Sequence, residues 1–136
     1  MSLTATPAPQ RSGVYRTPSD VETARRGMDS QTRWINVSLR GVQDKNELMR
    51  TFAKAFALPN TFGANWDALA DALQDTACAG ATGCVVHITD SGMALLPEAD
   101  RATLMAVLSA TAAYWSTHGK PFVVLVDGAT ELPLWT

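Results

Sequence analysis

Three segments of the chain have the hydrophobic patterns that are typical of β-strands. Residues 34–40 alternate strictly between apolar and polar side chains, so one face of this strand is apolar. That face carries Ile35, Val37 and Leu39. Residues 84–89 form a short apolar run, and residues 122–126 are apolar throughout. Because strands buried on both faces are continuous hydrophobic runs, the last segment is predicted to be a central strand of a parallel sheet.

Helical spacing of apolar residues predicts three longer helices. The first begins at about residue 44 or 45 and ends at residue 57, since Pro59 prevents its continuation. The second covers residues 65–77 and carries its buried side chains at i, i+3 and i+7, namely Trp66, Leu69 and Leu73. The third begins at about residue 97 or 98 and ends at residue 117, just before His118 and Gly119.

The order of these elements predicts a small α/β domain. Strand, helix, helix, strand, helix and strand follow one another, which favours a parallel sheet with right-handed crossovers. Because the first strand alternates, we expect helices to cover mainly one face, which gives a two-layer domain around a three-stranded parallel sheet. We assign this domain to residues 33–128. Residues 13–32 are an N-terminal extension that could add a short strand and a helix, residues 1–12 a flexible tail, and residues 129–136 a C-terminal tail.

Length and composition favour a single domain. The chain has 136 residues, 46 % of them hydrophobic, which suits one soluble domain with a modest core. No apolar run reaches the roughly 18 residues of a membrane span, and the N-terminus does not resemble a secretory signal. We therefore expect a cytoplasmic protein without a membrane partner. In the reducing cytoplasm, Cys78 and Cys84 are expected to be reduced thiols, with a disulfide across the short loop between them as the alternative.

Charge is distributed unevenly along the chain. The net charge is only −2, but residues 55–100 contain no Lys or Arg, and nine of the eleven basic residues precede this segment. The same segment contains six acidic residues: Asp67, Asp71, Asp75, Asp90, Glu98 and Asp100. An acidic surface attracts basic partners and repels nucleic acid. Direct binding of DNA or RNA through this segment is therefore not expected.

Three of these carboxylates form a row on the second predicted helix. Asp67, Asp71 and Asp75 are spaced at i, i+4 and i+8 and are called here the acidic stripe. Like charges at this spacing cost an isolated helix about a few tenths of a kcal/mol per pair. The stripe is therefore predicted to bind a positively charged partner. A solvated helix face is the alternative, and for Asp67 the helix dipole of the first turn explains the charge without any function.

The segment Leu58-Pro59 and the string FGANWDALADAL, which begins at Phe62, resemble the signature of barstar-like ribonuclease inhibitors. The order of the flanking elements is also similar, from about Trp34 to Asp127. The resemblance implies an intracellular inhibitor that needs no cofactor. Such an inhibitor inserts the acidic helix and the loop before it into the active site of a small, basic, barnase-like ribonuclease, where its carboxylates mimic the phosphates of RNA.

The resemblance also implies roles for single residues. Asp67 and Asp71 correspond to the two helix acids that contact the ribonuclease, and Asp71 is the one expected to face its catalytic basic cluster. Gly63 and Asn65 correspond to a loop that approaches the partner through its backbone. A carboxylate can replace a phosphate because it offers acceptor oxygens to Arg and Lys, and a glycine permits close approach or a positive φ. The alternative is that Gly63 only shapes the turn and Asn65 only caps the helix.

Three positions depart from the family pattern. Ala64 replaces an acid, Ala70 replaces a contacting Trp, and Tyr114 stands about where the family has a further partner-facing acid. The loss of an aromatic anchor and two charges would weaken binding to an unchanged partner by several kcal/mol. Asp75 adds a carboxylate that offsets part of the lost charge.

Two other classes of function are the alternatives to inhibition. An enzyme is not expected, because His87 lies within a predicted strand, His118 ends a helix, and neither belongs to a catalytic or metal-binding motif. The competing hypothesis is a non-enzymatic adaptor or regulatory module that binds a basic protein other than a nuclease through the acidic stripe.

Among the tryptophans, Trp66 and Trp115 are predicted to lie in the core. The others, Trp34 and Trp135, are candidates for exposed contact residues.

Overall fold

The computed structural model describes residues 8–59 and 62–136. Its strands are β1 (Gly13–Arg16), β2 (Thr32–Ser38), β3 (Gly83–Thr89) and β4 (Phe122–Val126), and its helices are α1 (Val21–Arg26), α2 (Lys45–Ala55), α3 (Trp66–Thr76) and α4 (Glu98–Thr117). Short 3-10 turns cover Pro9–Arg11 and Ser91–Met93. Within these residues, no helix combines the length and the apolar character that crossing a membrane requires.

The four strands form one parallel sheet in the order β1-β4-β3-β2. All five residues of β4 are buried, which confirms that the apolar run at residues 122–126 is a central strand. The N-terminal extension supplies β1, which pairs with β4 and extends the predicted three-stranded sheet to four strands. The predicted α/β class is confirmed, and the added strand occupies the edge that β4 would otherwise expose.

The three long helices pack on the same face of the sheet. Alternation places Val37 and Leu39 of β2 and its continuation in this core, with Ile35 packed against it, as the sequence pattern predicts. The helices contribute a common set of buried apolar residues: Leu48, Met49, Phe52, Leu69, Leu73, Leu104, Leu108, Ala112 and Trp115. Trp66, predicted to be part of this buried set, is only half-buried and packs at its margin.

The opposite face of the sheet has a smaller apolar cluster. It consists of Val85, Val123, Leu125 and Trp135, with Tyr15, Val21, Met28 and Trp34 packed against it. The prediction that Trp135 is exposed is wrong, since its exposed fraction is 2 %. Trp34 is half-buried. The chain termini bury this face because Val123 and Leu125, on the central strand, would otherwise be in water.

Residues within both predicted tails make specific contacts with each other and with the domain. The guanidinium carbon of Arg11 lies 3.8 Å from the ring centroid of Trp135, and the ring of Tyr15 meets that indole edge-on at 5.0 Å. Ser12 accepts a hydrogen bond from the backbone N–H of Phe122. The described part of the N-terminal tail and the C-terminal segment thus pack on the domain, whereas residues 1–7 lie outside the described residues.

Sequence signals at both ends of α2 explain its bounds. The side chain of Asp44 accepts a hydrogen bond from the backbone N–H of Glu47 at 2.8 Å, and the Glu47 carboxylate accepts one from the N–H of Gln43 at 3.1 Å. These two bonds cap the start of the helix. After its end, Ala57 adopts a left-handed conformation with φ 53°, and Pro59 follows.

Candidate partner-binding surface

The helix α3 is fixed by its cap and by its buried face. The side chain of Asn65, the N-cap, accepts a hydrogen bond from the backbone N–H of Ala68 at 2.8 Å. Leu69 and Leu73 are fully buried against the core. The indole N–H of Trp115, in α4, donates to the backbone carbonyl of Leu73 at 3.0 Å. Packing and capping therefore fix which side of α3 points to solvent.

The solvent side of α3 carries the acidic stripe. Asp67, Asp71 and Asp75 are all exposed, and successive members are separated by about 6 Å along the helix axis, from four residues of rise. None of the three forms an ion pair with a residue in the described ranges 8–59 and 62–136. The structure thus brings together three predicted site residues as one row of carboxylates that is open to a partner.

The loop before α3 departs from the expected backbone geometry. The left-handed residue is Ala64, with φ 52°, whereas Gly63 has no positive φ. A Cβ atom at Gly63 would lie 3.3 Å from the Cβ of Ala68 and 3.4 Å from Nδ2 of Asn65. Gly63 is exposed, and this tight approach to the first turn of α3 explains why a small residue suits the position.

Asn65 has the capping role that the sequence analysis kept as its alternative role. Its Oδ1 accepts from Ala68, while its Nδ2 donates to the carbonyl of Gly63 at 3.4 Å. Both polar ends of the side chain are therefore engaged within the loop and the helix. A direct partner contact of Asn65 stays a prediction.

The three positions that depart from the family pattern have different environments. Ala64 is exposed and Ala70 is half-buried on α3. Tyr114, on α4, is half-buried, with its ring stacked on His118 at 4.2 Å between centroids. Nδ1 of His118 lies 2.7 Å from the carbonyl oxygen of Tyr114, and His118 is the C-cap of α4, as predicted. Tyr114, with its ring stacked on His118, thus stands about where the family pattern has a further acid.

A pair that the sequence analysis missed lies on the face of the sheet opposite the long helices. Nε2 of His87 is 2.8 Å from Oδ1 of Asp127. The hydroxyl of Ser91 donates to the backbone carbonyl of Asp127 and not to His87, so these groups do not form an aligned nucleophile and base. Register could have revealed the pair, because His87 is aligned with Leu125, two residues before Asp127.

A cavity of about 230 Å³ lies at the carboxyl ends of β2, β3 and β4. Its apolar lining includes Leu39, Ile88, Leu104 and Val126, and its polar lining includes Arg101 and Asp127. This cavity could not be predicted from the sequence, since its lining comes from segments far apart in the chain.

Among known protein families, one family model matches the region of the chain that contains the acidic stripe. The family model described as Barstar (barnase inhibitor) matches residues 32–127, which is more than half of the chain. The chain belongs to the barstar family. The matched region runs from β2 through β4 and includes all of α3, whereas β1 and α1 precede it. The predicted resemblance to barstar-like proteins is thereby confirmed. No curated protein matches the chain.

Proposed function

We propose that this member of the barstar family inhibits a small basic ribonuclease of the barnase type by placing the acidic stripe in its active site. The observation that carries the proposal is the row of three exposed carboxylates on α3, inside the matched region. A ribonuclease active site binds phosphates through cationic side chains, and carboxylates offer similar acceptor oxygens to those side chains. The inhibitor would therefore occupy the site without being a substrate.

The proposed roles differ along the stripe. Asp71 lies in the middle of the row and is proposed to face the catalytic cations of the ribonuclease. Asp67, one turn earlier, is proposed to bind a neighbouring cation, and the backbone of Gly63 and Asn65 to extend the contact toward the partner. Asp75 lies one turn later and is proposed to compensate in part for the charges that are absent at Ala64 and Tyr114.

Preorganisation of α3 supports high affinity. The helix is capped by Asn65 and anchored to α4 through Trp115, so little ordering of the backbone is needed when a partner binds. The excess of negative charge in residues 55–100 would also speed association with a basic enzyme. We propose that the protein has no enzymatic activity of its own and that it acts in the cytoplasm.

A second candidate function rests on the same stripe. Ala70 and Tyr114 replace residue types that contact ribonuclease in the family pattern, which favours a partner of different shape. In that case the protein would be an adaptor or regulatory module that binds a basic protein other than a nuclease.

The decisive experiment is a titration of a barnase-type ribonuclease with this protein, using RNA cleavage as the readout. We expect stoichiometric inhibition that weakens when salt is raised from about 50 to about 500 mM, because exposed charges are screened. Asp71→Ala should weaken inhibition by more than about 2 kcal/mol, or roughly 30-fold, while folding stays intact.

The matched control is Glu22→Ala, which removes one exposed carboxylate from α1, outside the matched region. It should inhibit as the unmodified protein does. Equal losses in both variants would mean that only net charge matters and that the stripe has no specific role. Absence of inhibition by the unmodified protein would reject the ribonuclease and favour the adaptor.

A further inference from the structure

The solvent side of α2 carries a second charged surface, and its charge is positive. Arg50 and Lys54 stand at i and i+4 on α2, and Arg40 follows β2. These three side chains line one open groove of about 250 Å³, called here the basic groove. Its other lining residues are Gly41, Val42, Glu47 and Thr51.

The cations of the basic groove have no anionic partner within the described part of the chain. Arg40, Arg50 and Lys54 are all exposed, and none forms an ion pair there. The acid in the groove, Glu47, is engaged in capping α2 through the N–H of Gln43. Cations at i and i+4 repel each other on a helix, and Glu47, three residues before Arg50, offsets only part of the positive charge of the groove. An anionic ligand would relieve the repulsion that remains.

The complementary surface is present in the same molecule. The acidic stripe repeats a negative charge every four residues along α3, which is the spacing at which Arg50 and Lys54 repeat a positive charge along α2. No basic residue lies between Lys54 and Arg101, so the segment that carries the stripe has charged side chains of one sign only. One molecule thus carries two surfaces of opposite sign and of matching period.

We propose that the basic groove binds the acidic stripe of a second copy of this chain. The two helices would lie side by side, with Arg50 and Lys54 opposite two successive carboxylates of the stripe. Exposed ion pairs contribute little individually and are screened by salt, so the self-association is weak and depends strongly on ionic strength.

Self-association would regulate access to the stripe. A stripe that is held in the basic groove of another copy is covered and cannot enter an active site, and this consequence rests on the proposed function. A ribonuclease that binds more tightly would displace the second copy. The self-association itself does not depend on any nuclease, so it can be tested alone.

Crossed charge reversal of the full chain tests the pairing directly. The average mass is measured by analytical ultracentrifugation at about 50 and about 500 mM salt, over a range of protein concentrations. We expect association of the unmodified protein only at low salt. Each double variant, Arg50→Glu with Lys54→Glu and Asp71→Lys with Asp75→Lys, should lower the association constant about tenfold or more, because like charges then meet. An equimolar mixture of the two variants should restore association, because each reversed surface then meets its complement.

Two results would overturn the proposal. One is a monomeric mass of the unmodified protein at low salt, which would assign the basic groove to an acidic partner of another kind. The other is loss of association in both variants without recovery in the mixture, which would mean that groove and stripe do not meet. If a reversed variant does not fold, Arg50→Ala with Lys54→Ala and Asp71→Asn with Asp75→Asn replace the pair, and each should reduce association. Failure of ribonuclease inhibition would leave these masses unchanged, so the two proposals fail separately.

Discussion

Trp115 donates its indole hydrogen bond across 3.0 Å to the backbone carbonyl oxygen of Leu73 and thereby joins the end of α4 to α3, the helix that carries the acidic stripe. The same carbonyl also accepts the helical hydrogen bond from the N–H of Ala77 at 3.1 Å. The indole therefore satisfies its own buried N–H through a carbonyl that already has one partner. This contact couples the position of the acidic stripe to the core.

Trp115→Phe is expected to lower the free energy of unfolding modestly. The phenyl ring fills most of the space that the indole occupied, but the hydrogen bond to Leu73 is lost. Because the carbonyl of Leu73 keeps its bond from Ala77, we expect a loss of about 1–2 kcal/mol from the missing bond and the smaller ring. Urea unfolding followed by circular dichroism measures the change. Unaltered stability would show that the bond contributes nothing net.

Much of the fold was predictable because its patterns are local. The alternation of Ile35, Val37 and Leu39 identified the covered face of β2, and the apolar run at residues 122–126 identified the central strand. The edge strand β1 was harder to predict, since all four of its residues are half-buried and no alternation marks it. Its stability comes from pairing with β4, which only the tertiary structure shows.

Some features of the candidate site could likewise be predicted from the sequence, and others could not. The row of aspartates follows from helical spacing alone, so the exposure of Asp67, Asp71 and Asp75 was predictable. The left-handed conformation at Ala64 was not, because alanine has no preference for it. The pairing of His87 with Asp127, forty residues later, requires the register of β3 and β4.

Trp135→Ala is expected to destabilise the protein strongly, although the residue is the last but one of the chain. Trp135 is 2 % exposed and covers Val123 and Leu125, so truncation removes a large buried ring and uncovers part of the sheet. Substitutions of this kind typically cost about 3–5 kcal/mol. Thermal unfolding should show a clear fall in the midpoint temperature. The neighbouring Leu134→Ala is the control, since Leu134 is 43 % exposed and should have a much smaller effect.

Asn65→Ala is expected to separate capping from partner contact. The variant loses the hydrogen bond to the N–H of Ala68, which should lower the free energy of unfolding by about 1 kcal/mol. Asn65→Asp keeps an N-cap acceptor and should retain most of that stability. If the role of Asn65 is capping alone, Asn65→Asp should also inhibit the ribonuclease as the unmodified protein does. Loss of inhibition in this capped, stable variant would instead show that the amide acts beyond capping, through a partner contact or through its bond to the carbonyl of Gly63.

Cys84 should make the stability of the protein sensitive to alkaline pH. A hydrogen bond with Cys78, burial and the charge of Cys78 raise the pKa of the Cys84 thiol well above its ordinary value of 9.0, an effect that nearby Arg33 partly opposes. The folded state therefore holds this proton when the unfolded state has released it. The resulting stabilisation is complete below the ordinary pKa and is lost as pH rises above it.

Chemical denaturation at several pH values measures this effect. The free energy of unfolding should fall from about pH 8 to about pH 10, and Cys84→Ala, which has no thiol to titrate, should show a shallower fall. Identical slopes in the two proteins would assign the pH dependence to other groups. In the native state both cysteines are free and buried, so a thiol reagent should modify them only after unfolding.

Asp75→Asn should stabilise the protein and weaken inhibition at the same time. Asp75 is the penultimate residue of α3, where the negative end of the helix dipole and the neighbouring Asp71 both disfavour a carboxylate. Removing its charge should raise the free energy of unfolding by about a few tenths of a kcal/mol. The same change removes one anion from the stripe, so the inhibition constant for a barnase-type ribonuclease should increase.

Asp67→Asn is the informative control, because Asp67 lies in the first turn, where the dipole favours a negative charge. That variant should lose both stability and inhibition. A gain of stability in Asp75→Asn with unchanged inhibition would limit the functional stripe to Asp67 and Asp71.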